Sequence, residues 1–282
     1  MDLRSVGSEY VQHLTDTDLE LLAKAAGVSL RPAELRSAPG QVPRLFDRPE
    51  VFHSIFGPSS ERVLGVSPFM AFAAVVHRAA AELASASHVV ERSGARHRVP
   101  VFDGPQLADF MDSEARRLFL TELLASFARV ASGRYWVQTS RGWRARRYSE
   151  LDPVRLAGLL DAIHEDERPG AYRRLGDVAL FLTGVFPDYA RRHSLGPLDA
   201  ARLLRAAGLG RGRDAGLADA PAIELFEHLG EHWYRQACEL APTRSARLAV
   251  VDEVAGRFRQ ARRALNFMAD RYLFPAGNPW FA

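Results

Sequence analysis

Residues 172–193 read YRRLGDVALFLTGVFPDYARRH, and the rest of the chain is best understood from this stretch outward. Apolar residues recur in it at intervals of three and four, as they do on one face of a helix. That face consists of Leu175, Val178, Ala179, Leu182, Val185 and Phe186. Leu180 and Phe181 lie off the face, so the segment is apolar nearly all round, which is typical of a helix covered on several sides. We therefore predict that this helix is the most buried element of a mainly α-helical fold.

A carboxylate interrupts this apolar segment at Asp177. A carboxylate that is buried needs a partner, because an unpaired charge is costly to remove from water. Arg173 lies four residues earlier and Arg174 three residues earlier, so both are placed to reach it from the same side of the helix. The sequence predicts an ion pair between Asp177 and one of these arginines.

The C-terminal end of the stretch carries two helix-weakening residues. Gly184 has no side chain, so it allows either the close approach of another element or a bend in the helix. Pro187 lacks a backbone donor, so the helix should kink or restart near Phe186. Two interpretations follow: a packed helix with a structural ion pair, or a pocket lined by Asp177, Thr183 and the freed carbonyl near Gly184.

Periodicity along the remaining chain predicts a single-module bundle of about nine or ten helices with one β-hairpin insert. A polar segment at 91–105, broken by glycine and proline, marks the best internal boundary. We therefore expect an N-terminal helical region at 1–100, followed by a helical core at 101–282 with the hairpin near 134–148. The last helix is predicted to run without a break from Arg244 to Phe274.

Composition restricts the class of protein. The 282 residues are 47% hydrophobic and 25% charged, which is ordinary for a soluble globular protein. No apolar run reaches 18 residues and the N-terminus does not resemble a signal peptide, so we expect a cytoplasmic protein with no membrane contact. The single cysteine, Cys238, excludes an intramolecular disulfide framework and a multi-cysteine metal site. The net charge of +3 is weak evidence for a polyanion partner.

One histidine motif has the spacing of a zinc site. His228-Leu229-Gly230-Glu231-His232 places two histidines four residues apart on a helix, with a glutamate between them as a general base. These five residues resemble the motif of inverted zinc metallopeptidases, and Glu239 or Glu253 would have to supply a third ligand. The alternative is that a helix rich in His and Glu produces this spacing by chance. In the same way, His77 beside an apolar helical face is expected to be a satisfied core or rim histidine.

The predicted hairpin, RYWVQTSRGWRARRY at 134–148, is both basic and aromatic. A helix followed by such a hairpin resembles the helix-plus-wing part of winged-helix DNA-binding domains. Its candidate contact residues are Trp136, Arg141, Trp143, Arg144, Arg146 and Arg147. The arginines suit phosphate contacts, and the tryptophans suit stacking on bases. The alternative is a structural hairpin held in place by its aromatic side chains.

Several segments resemble a family of actinobacterial proteins whose activity is uncharacterised. They are SPFMAFAAVVHRAAAEL, VPVFDGPQLADFM, RRLFLTELLASF, YSELDPVRLAGLL, RRLGDVALFLTGVFPD and RYLFPAGNPWF. The resemblance covers most of residues 40–282 and implies a soluble bacterial protein built as one module. In the LGEHWYRQA segment it rests on Leu229, Gly230, Trp233 and Tyr234, not on the histidines.

From these observations we expect a non-enzymatic, soluble binding or regulatory protein that acts through a protein or small-molecule partner, without a cofactor. Two alternatives remain open. One is a metal-dependent hydrolase that uses the His228–His232 helix, and the other is a winged-helix-like protein that binds nucleic acid through the hairpin.

Overall fold

The computed structural model describes residues 1–57, 65–92, 98–140, 142–192, 195–209 and 212–274. The part of the chain that the structure describes is mainly helical. The predicted fold class is therefore confirmed. The predicted count of nine or ten helices is wrong, because the described residues form 15 helices and two small sheets.

The chain divides into two compact units. The first unit contains Met1–Ala128 together with the segment that begins at Phe267, and the second contains Arg129–Asn266. The boundary that the sequence suggests near residue 100 stays a prediction.

The first unit is built from short helices separated by breaks. Its helices are α1 (Leu3–His13), α2 (Asp16–Ala25), α3 (Pro32–Ser37), α4 (Val42–Phe46), α5 (Pro49–Phe56), α6 (Pro68–Leu83), α7 (Gly104–Asp112) and α8 (Glu114–Ser126). Proline opens α3, α5 and α6, where its missing backbone donor costs nothing and its fixed φ suits the first turn.

A buried carboxylate joins two of these helix starts. Asp18, which is 1% exposed, accepts hydrogen bonds from Thr15 N at 3.0 Å and from Thr15 Oγ1 at 2.8 Å, and thus closes the N-terminal cap of α2. Its second oxygen accepts from Ser67 N at 3.0 Å, immediately before α6. Three donors therefore compensate for the loss of water around this charge.

A second two-stranded sheet lies in this unit, where the sequence predicted only a polar boundary. Strands β1 (Val89–Arg92) and β2 (Arg98–Val101) pair antiparallel, with Val89 opposite Val101 and Val90 opposite Pro100. Four-residue strands that contain charges and a proline carry no alternating pattern long enough to recognise. The prediction of a single hairpin is therefore wrong.

The second unit contains the predicted hairpin and seven helices. The elements are β3 (Ser132–Thr139), β4 (Gly142–Ser149), α9 (Pro153–Ala157), α10 (Arg168–Val185), α11 (Pro187–Arg192), α12 (Pro197–Ala206), α13 (Ala222–Leu240), α14 (Ala246–Gly256) and most of α15 (Phe258–Met268). In the hairpin Thr139 pairs with Gly142, whose φ of 99° lies in the left-handed region that favours glycine. The predicted hairpin is confirmed.

Helix α10 contains residues 172–185, most of the apolar stretch described above. Residues 175–185 are all buried except Phe181, and the helix ends at Val185 before Pro187 opens α11, as predicted. Helix α13 packs along α10, and two glycines of α10 allow close approach, Gly176 to α13 and Gly184 to α15. A Cβ at Gly176 would lie 2.5 Å from the Tyr234 ring, and one at Gly184 would lie 2.7 Å from Leu265 Cβ. The close approach predicted at Gly184 is thereby confirmed.

The last predicted helix is interrupted. It breaks at Arg257, whose φ of −128° and ψ of 30° are not helical, so α14 and α15 are separate helices. The apolar periodicity continues across the break, which is why the sequence pattern did not show it. Gly256 directly before the break lowers the cost of leaving the helical conformation.

Among the helices of the described residues, none is both long enough and apolar enough to cross a bilayer.

Candidate functional site

Asp177 lies at the centre of a buried polar cluster between α10 and α13. Arg173 Nε lies 3.2 Å from Asp177 Oδ1, and Tyr234 Oη donates to the same oxygen at 2.8 Å. Burial raises the pKa of Asp177, and the nearby Arg173 guanidinium opposes this rise. Arg174, the other arginine considered from the sequence, instead pairs with Glu150 at 3.0 Å. The cluster ties α10 to α13.

The end of α10 has its own set of hydrogen bonds. Pro187 has no N–H to donate to Thr183 O, and α10 ends at Val185. Asn266 Nδ2 on α15 donates to both carbonyls, at 3.1 Å to Thr183 O. Thr183 Oγ1 donates within the helix to Ala179 O at 2.7 Å. The freed carbonyl near Gly184, which one of the two interpretations assigns to a pocket, thus accepts a hydrogen bond from a side chain of α15.

The His228–His232 motif lies on α13, and its Leu and Gly are more buried than its histidines. Leu229, Gly230 and Trp233 are buried, and a Cβ at Gly230 would overlap the ring of Phe258. His232 Nε2 lies 2.7 Å from Ala207 O, and Glu231 forms an ion pair with Arg235. The buried face of this helix is therefore built for packing, and a metal role for His228, Glu231 and His232 stays a prediction.

The hairpin presents part of its predicted contact set to solvent. Trp136 is 64% exposed and Arg144 is also exposed. Arg141 lies outside the described residues, and the side chains of Trp143, Arg146 and Arg147 are likewise not described. Nucleic-acid contact through this hairpin stays a prediction.

His77 belongs to a hydrogen-bonded chain in the first unit that the sequence did not reveal. Tyr10 Oη lies 2.9 Å from His77 Nε2, and His77 Nδ1 lies 2.7 Å from Asp47 Oδ1. Burial lowers the pKa of His77 and raises that of Tyr10. The expectation of a satisfied core histidine is confirmed, and its two partners lie 67 and 30 residues away, beyond the reach of local pattern.

A groove of about 510 Å³ opens in the second unit, and neither Asp177 nor Thr183 lines it. Its apolar lining comes from α9 to α13 and from the segments flanking α9 and α12. These residues are Leu151, Val154, Leu182, Ala190, Leu195 and Phe226. Leu182 and Phe226 are 7% and 3% exposed and form the floor, whereas Tyr189 is 52% exposed at the rim. We call this feature the α9–α13 groove.

Charged residues complete the rim of the groove in two pairs. Arg155 Nε lies 3.0 Å from Asp152, and Arg202 Nη1 lies 2.9 Å from Asp199. The two arginine side chains are 57% and 67% exposed, more than their aspartate partners at 38% and 43%. Exposed pairs of this kind contribute about 0–1 kcal/mol each, so the guanidinium groups can exchange partners at little cost.

A smaller cavity of about 300 Å³ lies beside Cys238. The thiol donates to Leu248 O at 3.5 Å, and burial raises the pKa of Cys238, which disfavours the reactive thiolate. This cavity lacks the aromatic floor and rim of the α9–α13 groove, which is therefore the better candidate site.

Comparison of the chain with protein-family models, with curated proteins and with solved structures finds no match. The resemblance to an actinobacterial family therefore stays a prediction.

Proposed function

We propose that this is a non-enzymatic binding protein whose α9–α13 groove receives a segment of a protein partner. The observation that carries the proposal is the groove itself, with an apolar floor and an exposed rim of tyrosine and arginine. Its volume of about 510 Å³ lies within the range of about 300–1,000 Å³ that is usual for binding cavities.

Apolar side chains are exposed on the rim of the groove and at positions close in sequence to its lining residues, which supports a protein segment over a small molecule. Leu151 on the rim is 39% exposed. Leu198, one residue before the lining residue Asp199, is 76% exposed, and Phe186, three residues before Tyr189, is 39% exposed. Exposed apolar side chains beside polar rim residues are typical of protein interaction sites. A small ligand held in the groove would leave these side chains in water.

The rim chemistry specifies the partner further. Tyrosine and arginine are the residue types that dominate binding energy at protein interfaces. Because Arg155 and Arg202 are more exposed than Asp152 and Asp199, the groove suits an apolar anchor residue flanked by carboxylates. Carboxylates of the partner segment would form ion pairs with Arg155 and Arg202 in place of Asp152 and Asp199. The apolar anchor would pack against Leu182 and Phe226.

Site-specific photo-crosslinking tests the proposal. Replacing Tyr189 with p-benzoyl-phenylalanine in the native cells should give an adduct of discrete mass after irradiation. The double change Arg155→Glu and Arg202→Glu should remove this adduct, because it reverses the rim charge while leaving the floor intact. Leu240 is the matched control position, since it is 49% exposed and does not line the groove.

Three outcomes would contradict the proposal. They are the absence of any adduct at position 189, equal adducts at positions 189 and 240, and an adduct that survives the charge reversal. Native mass spectrometry of the purified protein adds a further check, because a bound small molecule displaced by Leu151→Asp would identify a small-molecule site instead.

A further inference from the structure

Three potential metal ligands converge in the first unit, whereas the α9–α13 groove belongs to the second. Glu9, His13 and Glu122 each offer one donor atom, and these atoms all lie within 4.8 Å of one another. His13 Nε2 is 3.0 Å from Glu122 Oε1. This is the one such cluster among the residues that the structure describes, and the His228–His232 motif forms no comparable group there.

The local structure explains why the three groups meet. Glu9 and His13 are four residues apart on α1, so they share one face of that helix. Glu122 comes from α8, which packs against α1. The His13 ring stacks on Phe69 of α6, with centroids 4.6 Å apart and planes 21° apart, and this contact fixes the orientation of the imidazole.

The electrostatics of the cluster favour a cation. Two carboxylates this close repel each other unless a proton or a cation lies between them. His13 lies in the last turn of α1, where the negative end of the helix dipole adds to the attraction for positive charge.

The donor set selects the type of ion. Imidazole nitrogen with two carboxylate oxygens suits Zn²⁺ and related transition metals, whereas Mg²⁺ and Ca²⁺ prefer oxygen ligands alone. Bonds of about 2.0–2.2 Å place neighbouring ligand atoms roughly 3 to 4 Å apart, so small side-chain rotations bring these donors into a coordination sphere. The residues are half-buried or exposed, and an ion can therefore reach them from solvent.

We infer that Glu9, His13 and Glu122 form a mononuclear site for a Zn²⁺-class divalent metal that joins α1 to α8. Three protein ligands leave at least one coordination position for water. Bound metal stabilises the first unit, because it links two helices that are distant in sequence and binds only when they are folded together.

Titration of the metal-free protein with ZnCl₂ and CoCl₂ tests the inference. One equivalent should bind with a rise in the unfolding temperature, and Co²⁺ should show the visible absorption of a protein-ligated ion. His13→Gln, Glu9→Gln and Glu122→Gln should each weaken binding by at least about tenfold, since even loss of an outer-shell partner costs about 10–100-fold. Equal millimolar MgCl₂ should give no such rise.

Matched variants distinguish this site from adventitious binding to other histidines, of which the sequence has nine in all. His164 also lies beside a carboxylate, at 3.3 Å from Asp166, so His164→Gln is the direct control and should leave affinity and stoichiometry unchanged. His228→Gln should do the same. Equal Zn²⁺ affinity in the wild type and in His13→Gln would overturn the inference, as would loss of the bound equivalent in His228→Gln.

Discussion

Tyr234 Oη donates a 2.8 Å hydrogen bond to Asp177 Oδ1, and the two residues are 57 positions apart on α13 and α10. Tyr234 is completely buried and Asp177 is 8% exposed. The bond therefore connects the two central helices of the second unit inside the core, where an unmet carboxylate oxygen would be expensive.

The first prediction concerns this bond and the adjacent ion pair. Asp177→Ala should lower the free energy of unfolding by about 3 kcal/mol or more, because it leaves Arg173 and Tyr234 without their shared acceptor. Tyr234→Phe should cost about 1.5–3 kcal/mol, the usual value of a hydrogen bond to a charged group. Urea denaturation followed by tryptophan fluorescence measures both, and the double variant should lose less than the sum.

Asp161→Ala is the control for this prediction, since Asp161 is exposed and its loss should change stability by no more than about 0.5 kcal/mol. An Asp177→Ala protein as stable as the control would show that the carboxylate is solvated, and the role assigned to the cluster would fall.

The second prediction concerns Gly230, inside the histidine motif. Gly230→Ala should destabilise the protein by about 1–3 kcal/mol, because the new Cβ overlaps the Phe258 ring and lies 3.1 Å from Ala179 Cβ. Gly170→Ala is the matched control on α10: no atom lies within 4 Å of its added Cβ, and alanine favours the helix by up to about 1 kcal/mol. Thermal denaturation of the pair should therefore give shifts of opposite sign, and a neutral Gly230→Ala would contradict close packing there.

The third prediction is a pH dependence in the first unit. Burial lowers the pKa of His77 below its usual 6.5, helped by the Arg117 charge and opposed by the hydrogen bond to Asp47. As the pH falls below about 6.5, the unfolded chain gains a proton at His77 before the folded chain does. Stability should therefore decrease with acidification, by at most about 1.4 kcal/mol per pH unit from this group.

His77→Gln removes the titrating group while keeping a polar side chain, so it should flatten this part of the pH profile. Amide hydrogen exchange in α6, corrected for intrinsic rates, reports the opening free energy of the first unit at about pH 7.5 and about pH 5.5. Parallel profiles in the wild type and the variant would refute the assignment to His77.

Local pattern predicted the parts of this protein that depend on near neighbours. The Arg173–Asp177 pair follows from a spacing of four residues, and the end of α10 follows from Pro187. The partners Tyr234 and Asn266 were missed, because they reach α10 from helices 57 and more residues away. The hydrogen bonds between α10 and these helices depend on tertiary packing that no window of sequence contains.

The α9–α13 groove escaped prediction for the same reason. Its lining spans Leu151 to Phe226 and comes from five helices and from the segments before α9 and α12, and each of these contributes one to three residues that look ordinary in their own segments. The sequence shows only part of the candidate metal site. Glu9 and His13 lie four residues apart on one helix, but Glu122 is brought next to them only by the fold. Sequence spacing alone favoured the histidines of α13 instead.

The fourth prediction separates a nucleic-acid wing from other roles of the hairpin. If the wing bound DNA, arginine contacts to phosphates would make affinity fall steeply with salt, with a log–log slope of about 0.9 per phosphate neutralised. We expect no detectable binding of random-sequence duplex at low salt, because the net charge of the chain is only +3. Binding that disappears when Arg141, Arg144, Arg146 and Arg147 are replaced by glutamine would contradict this expectation.

The same hairpin supplies a stability comparison between two tryptophans. Trp136 is 64% exposed, so Trp136→Ala should change the free energy of unfolding by no more than about 0.5 kcal/mol. Trp233 is completely buried on α13, and Trp233→Ala should cost about 3–5 kcal/mol. Urea denaturation followed by circular dichroism measures both without relying on the replaced fluorophore. A large loss of unfolding free energy in Trp136→Ala would show that this ring is part of the core of the second unit. Trp136 could then no longer be regarded as an exposed contact residue.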